Sequence, residues 1–382
     1  MEHLNKYQRY QRQTVLKEFG AAAQEKLFQA KVLVVGAGGL GCPALQYLAA
    51  AGAGTIGIID FDLVELTNLQ RQTLYTVEDI GKPKAQTAAN KLKAFNPEIQ
   101  IKVYNTKLDS TNALEIMNAY DVVIDGSDNF ATRYLVNDAC MILNKPLVYG
   151  AVLRFEGQAG VFNLMDKERG CITNYRDLFP QPPLPASVLS CNDAGVIGVL
   201  PGIIGTMQAA EAIKIITGIG KPLCNKIVSY NLLNNLFYEF SISPANEINP
   251  NFPKTKSAFL KFDYEWFCGA VDEPHEISPD EFDVLRLKEK INIIDVREID
   301  ELPMVDEFLF TQIPLSSFEE AIGELSIINK TVIFCQTGKR SLAAVKMLTI
   351  KFPACVAYSL KGGVEAWKKH CHKSLHASTI KS

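Results

Sequence analysis

From Lys31 to Val152, short apolar runs alternate with longer stretches in which apolar residues recur every three or four positions. Lys31–Val35, Thr55–Asp60, Gln100–Tyr104, Asp121–Asp125 and Leu147–Val152 read as strands. Gly41–Ala51, Lys82–Phe95 and Ala131–Leu143 read as helices. Strand–helix alternation of this kind predicts an α/β fold, a mainly parallel sheet with helices on both faces. Later the rhythm changes: Gly157–Phe162, Lys226–Asn231 and Leu236–Phe240 predict antiparallel strands, with a helix around Gly205–Thr217 between them.

A second α/β pattern begins near Ile277. Ser278-Pro279-Asp280-Glu281 places a capping Ser, a Pro at the first helical position and a Glu three residues after the cap. Strands at Ile291–Asp295, Thr331–Phe334 and Val356–Ser359 follow, with helices at Ser341–Leu348 and Val364–Lys369. The chain is therefore divided at 1–245 and 277–372, with a Pro-, Asn- and Lys-rich linker at 246–276 and a tail at 373–382. Phe179–Pro185, with four prolines, predicts an exposed loop.

At 382 residues, 47% hydrophobic and 21% charged, the chain has material for two cores. A net charge of −3 argues against an obligate nucleic-acid binder. The apolar stretch Val196–Met207 is interrupted by Gly198, Pro201, Gly202 and Gly205, so a buried helix entry is expected and no membrane span. The first six residues lack the apolar core of a secretion signal, and nine cysteines lie scattered without a disulfide rhythm. Reduced thiols and a cytoplasmic location are expected.

Gly36-Ala37-Gly38-Gly39-Leu40-Gly41 directly follows the first strand and opens a helix, the arrangement in which backbone N–H groups receive phosphate. Asp60, at the end of the next strand, stands where a ribose ligand is expected. These residues alone suit a nicotinamide-dependent oxidoreductase, or a turn of purely structural use. The residues that follow discriminate. A nicotinamide site has no need of Arg71 and Lys84 near the phosphates, whereas an adenylating site uses fixed cations as pyrophosphate departs. Asp128, just beyond a strand end, is a candidate ligand for the Mg2+ of the nucleotide.

Arg9-Tyr10-Gln11-Arg12-Gln13, Gly36–Gly41, Asp60-Phe61-Asp62, Asn68-Leu69-Gln70-Arg71-Gln72, Gly81-Lys82-Pro83-Lys84 and Ser127-Asp128-Asn129 together resemble the MoeB/ThiF/HesA family, bacterial relatives of ubiquitin-activating enzymes. The resemblance runs from about residue 7 to residue 242. It implies a Rossmann-like domain that uses ATP and Mg2+ to adenylate the C-terminal glycine of a ubiquitin-like sulfur carrier. It further implies that Gly36, Gly38, Gly39 and Gly41 approach the nucleotide and that Asp60 binds ribose. Asn68, Arg71 and Lys84 would bind phosphates and Asp128 the Mg2+, with Asp62, Gln72 and Asn129 in the same site. Such enzymes are homodimers, and Arg12 would reach the neighbouring subunit's ATP.

Many relatives hold a structural zinc with two Cys-x-x-Cys pairs. Here these read Cys171-Ile172-Thr173-Asn174 and Glu265-Trp266-Phe267-Cys268, one cysteine each. Structural zinc wants thiolate or imidazole at four corners, so no tightly held zinc is expected.

Cys335 follows a buried strand and opens the loop Gln336-Thr337-Gly338-Lys339-Arg340-Ser341. Inward backbone N–H groups, two cations and a helix start favour thiolate, and the same donors stabilise a persulfide. With Ile294-Asp295-Val296-Arg297-Glu298 and Leu360-Lys361-Gly362-Gly363-Val364-Glu365-Ala366-Trp367, this region resembles a rhodanese domain, a small α/β unit. Gln312-Ile313-Pro314-Leu315 stands where His-x-Pro-Gly is usual, a trimmed loop. Cys191 follows the Pro-rich loop and precedes a helix start, and it matches the family cysteine that forms acyl links in some members.

The fused resemblance implies adenylation of a sulfur carrier, MoaD-like for molybdopterin or ThiS-like for thiamine, followed by sulfur transfer from a Cys335 persulfide supplied by an upstream donor. Adenylation of a non-protein carboxylate or an RNA base, with the second domain serving elsewhere, is the alternative.

Overall fold

The apolar runs of the first half become interior strands because both of their faces are covered by helices. In the structure, a computed structural model, residues 7–183, 195–268, 276–322, 330–352 and 355–379 are described, and the chain divides into two units after Tyr264. The first unit is built on β1 (Lys31–Val35), β2 (Thr55–Ile59), β3 (Gln100–Tyr104), β4 (Val122–Asp125), β5 (Leu147–Leu153), β6 (Glu156–Phe162), β7 (Lys226–Asn231) and β8 (Leu236–Ser241). They form one sheet in the order β3-β2-β1-β4-β5-β6-β7-β8, parallel as far as β5 and antiparallel beyond it. The chain runs outward from β1 in one direction and returns through β4 in the other. This reversal between β1 and β4 opens a crevice at the strands' carboxyl ends, where ligands of such sheets bind.

Val32, Val34, Ile56, Ile58 and Ile124 are all fully buried, packed with Leu45 and Leu48 of the helix Gly41–Ala51 and with Ala88 and Leu92 of the helix Lys84–Phe95. On the sheet's side nearer β5 and β6 lies the helix Val199–Thr217, six residues longer at its start than the apolar rhythm predicts. Pro201 falls in its first turn, where a missing N–H costs nothing. At Gly205 an added Cβ would sit 2.2 Å from the Leu40 carbonyl oxygen, so the glycine permits close helix packing rather than breaking the helix. By length and composition this helix meets the measure of a membrane span. Gln208, fully buried, donates to the Asp125 and Val148 carbonyls (2.6 and 3.3 Å), which makes it a core helix of this unit.

The stretch 246–276, expected to be a linker, contains the helices Lys256–Lys261 and Tyr264–Phe267. Phe259 is fully buried, and the Tyr264 hydroxyl donates to Asp138 (2.9 Å). Asp138 also takes two bonds from Arg176, at 2.8 and 2.7 Å, so the Tyr264 hydroxyl anchors this helix start to a buried ion pair of the first unit.

The second unit has β9 (Glu276–Ile277), β10 (Asn292–Asp295), β11 (Thr311–Gln312), β12 (Thr331–Phe334) and β13 (Ala357–Leu360) in a wholly parallel sheet, ordered β11-β10-β12-β13-β9. Helix Pro279–Lys288 starts at the Ser278 cap, with the reciprocal Ser278–Glu281 box in place. Helix Lys339–Lys351 begins two residues earlier than expected, and the last helix, Gly363–Thr379, continues past residue 372 into the expected tail. Two short strands, β9 and β11, carry no alternation that a sequence reading could detect.

Candidate functional site

The turn after β1 is shaped by glycines that have no room for a side chain. Gly36 has φ +87°, and an added Cβ on Gly41 would lie 1.9 Å from the Gly36 carbonyl oxygen. The helix Gly41–Ala51 can therefore begin directly beneath the turn. Its amino end and the turn form one wall of a cleft that Gly36, Gly38 and Gly39 line, while Gly41 lies underneath as a packing residue.

Asp60, at the end of β2, closes the turn from the side. Its Oδ2 accepts from the Ala37 N–H (2.7 Å) and its Oδ1 from the Asp62 N–H (2.8 Å). Burial pushes its carboxyl up, opposed by these amides and by Lys84. After Asp60 the chain folds back over the cleft. Lys84, 5% exposed at the start of its helix, donates to Asp62 Oδ2 (2.8 Å). Arg71 donates to the Thr67 carbonyl (3.0 Å) and lines the cleft. Gln72 is buried against the turn, and its Oε1 has no hydrogen-bond partner among the described residues.

The opposite wall comes from the end of β4. Asp125 is buried, and its Oδ1 accepts from the Ser127 N–H (2.9 Å) and hydroxyl (2.6 Å), fixing the turn that presents Asp128. Asp128 is exposed, lines the cleft and makes no hydrogen bond among the described residues. Asn129 lines the cleft too, but its Oδ1 caps the helix Phe130–Leu143 by accepting from the Thr132 N–H (2.8 Å).

Ten of the expected nucleotide residues thus converge: Gly36, Gly38, Gly39, Asp60, Asp62, Arg71, Gln72, Lys84, Asp128 and Asn129. Asn68 does not. It is buried, and its Oδ1 accepts from the Glu65 N–H (3.2 Å) to cap a turn of 3-10 helix. Arg12, in the short helix Gln11–Thr14, is exposed and lies outside its own chain's cleft. Cys191 falls outside the described residues. The sequence reading missed Lys107 and Arg133, which also line the cleft. Lys107 follows β3 and Arg133 lies in the first turn of the helix after Asp128, so position past a parallel strand end was the signal available.

Cys171 Sγ accepts from Asn225 Nδ2 (3.3 Å), and Asn174 caps the helix Tyr175–Leu178. Among the described residues no group of three or more His, Cys, Asp or Glu stands ready for a metal ion.

In the second unit Cys335 directly follows β12 and is 1% exposed. Its Sγ accepts from the Gly338 N–H (3.2 Å) and the Ser341 N–H (3.4 Å), with the Ser341 hydroxyl at 3.5 Å. The loop can turn back on the sulfur because Gly338 has φ +95°. Ser341, fully buried, ties the loop to Gly338 O (2.9 Å) and to Ser359 Oγ (2.8 Å). Backbone donors around sulfur in this way suit thiolate or persulfide. The two cations foreseen beside the thiol differ: Lys339 is exposed, while Arg340 pairs with Glu301.

Residues 10–251 match the ThiF family and residues 278–370 the rhodanese-like domain. A probable adenylyltransferase/sulfurtransferase MoeZ of Mycobacterium tuberculosis is 42% identical over 374 residues, 94% of this chain and 92% of that protein. A sulfur carrier protein adenylyltransferase of Thermus thermophilus is 48% identical over 263 residues, 68% of this chain and 96% of its own. The adenylyltransferase and sulfurtransferase MOCS3 of Drosophila grimshawi is 39% identical over 94% of this chain and 83% of its own. A crystal structure of E. coli MccB matches with a TM-score of 0.55 at 24% identity over 63% of this chain and 73% of that one, a likeness of fold. The chain belongs to the ThiF family, as an adenylyltransferase that carries a C-terminal rhodanese-like sulfurtransferase domain.

Proposed function

We propose that the cleft binds ATP and adenylates the C-terminal glycine of a MoaD-like, ubiquitin-like sulfur carrier, and that Cys335 then supplies sulfur to make the carrier thiocarboxylate for molybdopterin biosynthesis. One observation carries this reading: Arg71, Lys84 and Asp128, the last without a hydrogen-bond partner among the described residues, meet around a glycine turn at the sheet's switch point, on a chain that also holds Cys335 against two amides. The carrier's carboxylate oxygen attacks the α-phosphorus, and pyrophosphate leaves with the bonding pair. Charge gathers on that leaving group, and Arg71 and Lys84 are placed to stabilise it. The free carboxylate of Asp128 is a hard oxygen donor that fits Mg2+, which when bound would neutralise phosphate charge.

In the second stage the outer sulfur of a Cys335 persulfide attacks the acyl carbon and AMP departs with its electron pair. A second thiol, from Cys191 or an external thiol compound, then attacks Cys335 Sγ. The carrier leaves as thiocarboxylate, and a further external thiol reduces the disulfide formed. An outer-edge strand supports a protein substrate: on β8, Leu236, Phe237, Tyr238 and Phe240 are all exposed, an apolar strip on the strand at the sheet's edge. Exposed Val15 and Leu16 beside Arg12 support a homodimer in which Arg12 completes the partner subunit's cleft.

ATP–pyrophosphate exchange with labelled pyrophosphate tests the reading, run with MoaD-like and ThiS-like carriers and with Asp128→Ala. Exchange that needs the MoaD-like carrier and falls by at least about a hundredfold in Asp128→Ala is expected, a loss of about 2.7 kcal/mol of stabilisation. Dependence on the ThiS-like carrier instead would move the protein to thiamine biosynthesis. Exchange without any carrier would sink the proposal.

A further inference from the structure

Arg340, in the cysteine loop, is paired with a carboxylate. Its Nη1 donates to Glu301 Oε2 (2.7 Å) and its Nη2 to Glu301 Oε1, a two-pronged pair. Glu301 is fixed from behind. Arg297, 3% exposed, chelates fully buried Asp295 at the end of β10. The same guanidinium donates to the carbonyls of Glu301 (3.3 Å) and Pro303 (2.7 Å). A chain of charges from Asp295 through Arg297 and Glu301 to Arg340 therefore braces residues 297–303 against the loop.

The donors that reach Cys335 Sγ are the amides of Gly338 and Ser341 and the Ser341 hydroxyl; the Arg340 guanidinium is not among them. Arg340 is nonetheless within electrostatic reach of the sulfur. Its pKa is raised first by the bond to Glu301 and further by Cys335 and Glu298. A second carboxylate, Glu365, accepts from Gln336 of the same loop (2.9 Å). Acids thus engage the loop's side chains on two sides.

We infer that Glu301 is a specificity-determining residue for sulfur transfer: by holding Arg340, it leaves the sulfur to neutral donors and disfavours small dianionic sulfur donors relative to thiol persulfides. The inference rests on the proposal that Cys335 carries the transferred sulfur. With thiosulfate, the Cys335 thiolate attacks the outer sulfur, the S–S bond breaks, and sulfite leaves as a dianion with the bonding pair. With a persulfide, the thiolate takes the terminal sulfur and its proton, and the donor leaves as a singly charged thiolate. Neither exchange needs an outside oxidant or reductant. Only the first brings two negative charges to a site whose mobile cation is neutralised.

The test is steady-state sulfur transfer from thiosulfate to cyanide by the full chain. Glu301→Gln releases Arg340, and the KM for thiosulfate is expected to fall about tenfold with kcat changed less than about twofold, the scale of one cation meeting a dianion near water. High salt should erase most of that gain, because the pair is partly exposed. With cysteine persulfide as donor the same variant should change kcat/KM less than about twofold, since little charge is at stake. The double variant Glu301→Gln/Arg340→Gln removes a neutral pair, so its thiosulfate KM should stay within about threefold of wild type.

An unchanged KM in a folded Glu301→Gln protein overturns the inference. So does a tenfold rise in the double variant, which would place Arg340 on the donor already; should Glu301→Gln not fold, the double variant decides alone. Cys335→Ala separates the two readings: if it still turns thiosulfate over, the role of Cys335 fails with this one. Loss of turnover in Cys335→Ala beside an unmoved KM in Glu301→Gln removes this inference only.

Discussion

Replacing Arg176 with Met would strand a carboxylate in the interior of the first unit. Asp138 is fully buried and Arg176 2% exposed, joined by two bonds of 2.8 and 2.7 Å. In Arg176→Met the side-chain volume is nearly kept, but among the described residues Asp138 retains only the Tyr264 hydroxyl (2.9 Å) and Asn137 Nδ2 (3.2 Å). Breaking a buried pair from one side typically costs about 3–5 kcal/mol. For a unit of this size, at roughly 2 °C per kcal/mol, that is a melting shift of about 6–10 °C. The loss should depend on pH. Burial pushes the Asp138 carboxyl up, and Arg176 pulls it back. Without Arg176 the upward push is opposed only by the weaker bonds from Tyr264 and Asn137, so the folded variant holds a proton that the unfolded chain releases near pH 4. Stability of the variant therefore falls as pH rises from about 4 through the raised folded pKa. Thermal unfolding of the full chain at pH 5 and pH 8, read on the transition of the first unit, measures this. The double change Asp138→Leu/Arg176→Met should recover most of the loss, since an apolar pair leaves no charge unpaired. A loss below about 1 kcal/mol, or one equal at both pH values, would refute the reasoning.

Gly41→Ala sets a Cβ 1.9 Å from the Gly36 carbonyl oxygen, so the glycine turn must move. ATP–pyrophosphate exchange should drop at least about tenfold while helical content by circular dichroism is kept, because the overlap is local to the turn. The Cys42 thiol is fully buried beneath that turn, and burial pushes its pKa up to about 12. A thiol reagent at pH 8 should leave Cys42 unmodified in the folded chain and label it after denaturation, as peptide mapping by mass spectrometry would show. Labelling of native Cys42 at the rate of a free thiol would contradict its placement.

The chemistry was legible where it depends on spacing along the chain. The glycine turn, Asp60, Arg71, Lys84 and Asp128 lie near strand ends that the apolar pattern marks, and they meet because parallel strands deliver their carboxyl ends to one edge of the sheet. Cys335 was legible for the same reason, as the residue that directly follows β12. Asn68 was not legible. Its neighbours Arg71 and Gln72 line the cleft, yet one turn of 3-10 helix directs its own carboxamide to the Glu65 N–H. Nothing in residue type distinguishes a buried cap from a ligand.

What the sequence by itself determined was local: which segments are strands and helices, and which loops carry glycine, acid or thiol. Hydrophobic periodicity and turn chemistry act between neighbours in the chain, so they can be read there. Only the tertiary structure decided pairings across long separations. It bound Tyr264 and Arg176 to Asp138, which extends the first unit through a stretch that composition marks as a linker. It joined Arg340 to Glu301, which pairs one cation of the cysteine loop with a carboxylate. Charges 39 residues apart carry no periodicity. Their partners follow from which strand ends the sheet brings side by side, and burial then makes each pairing costly to break.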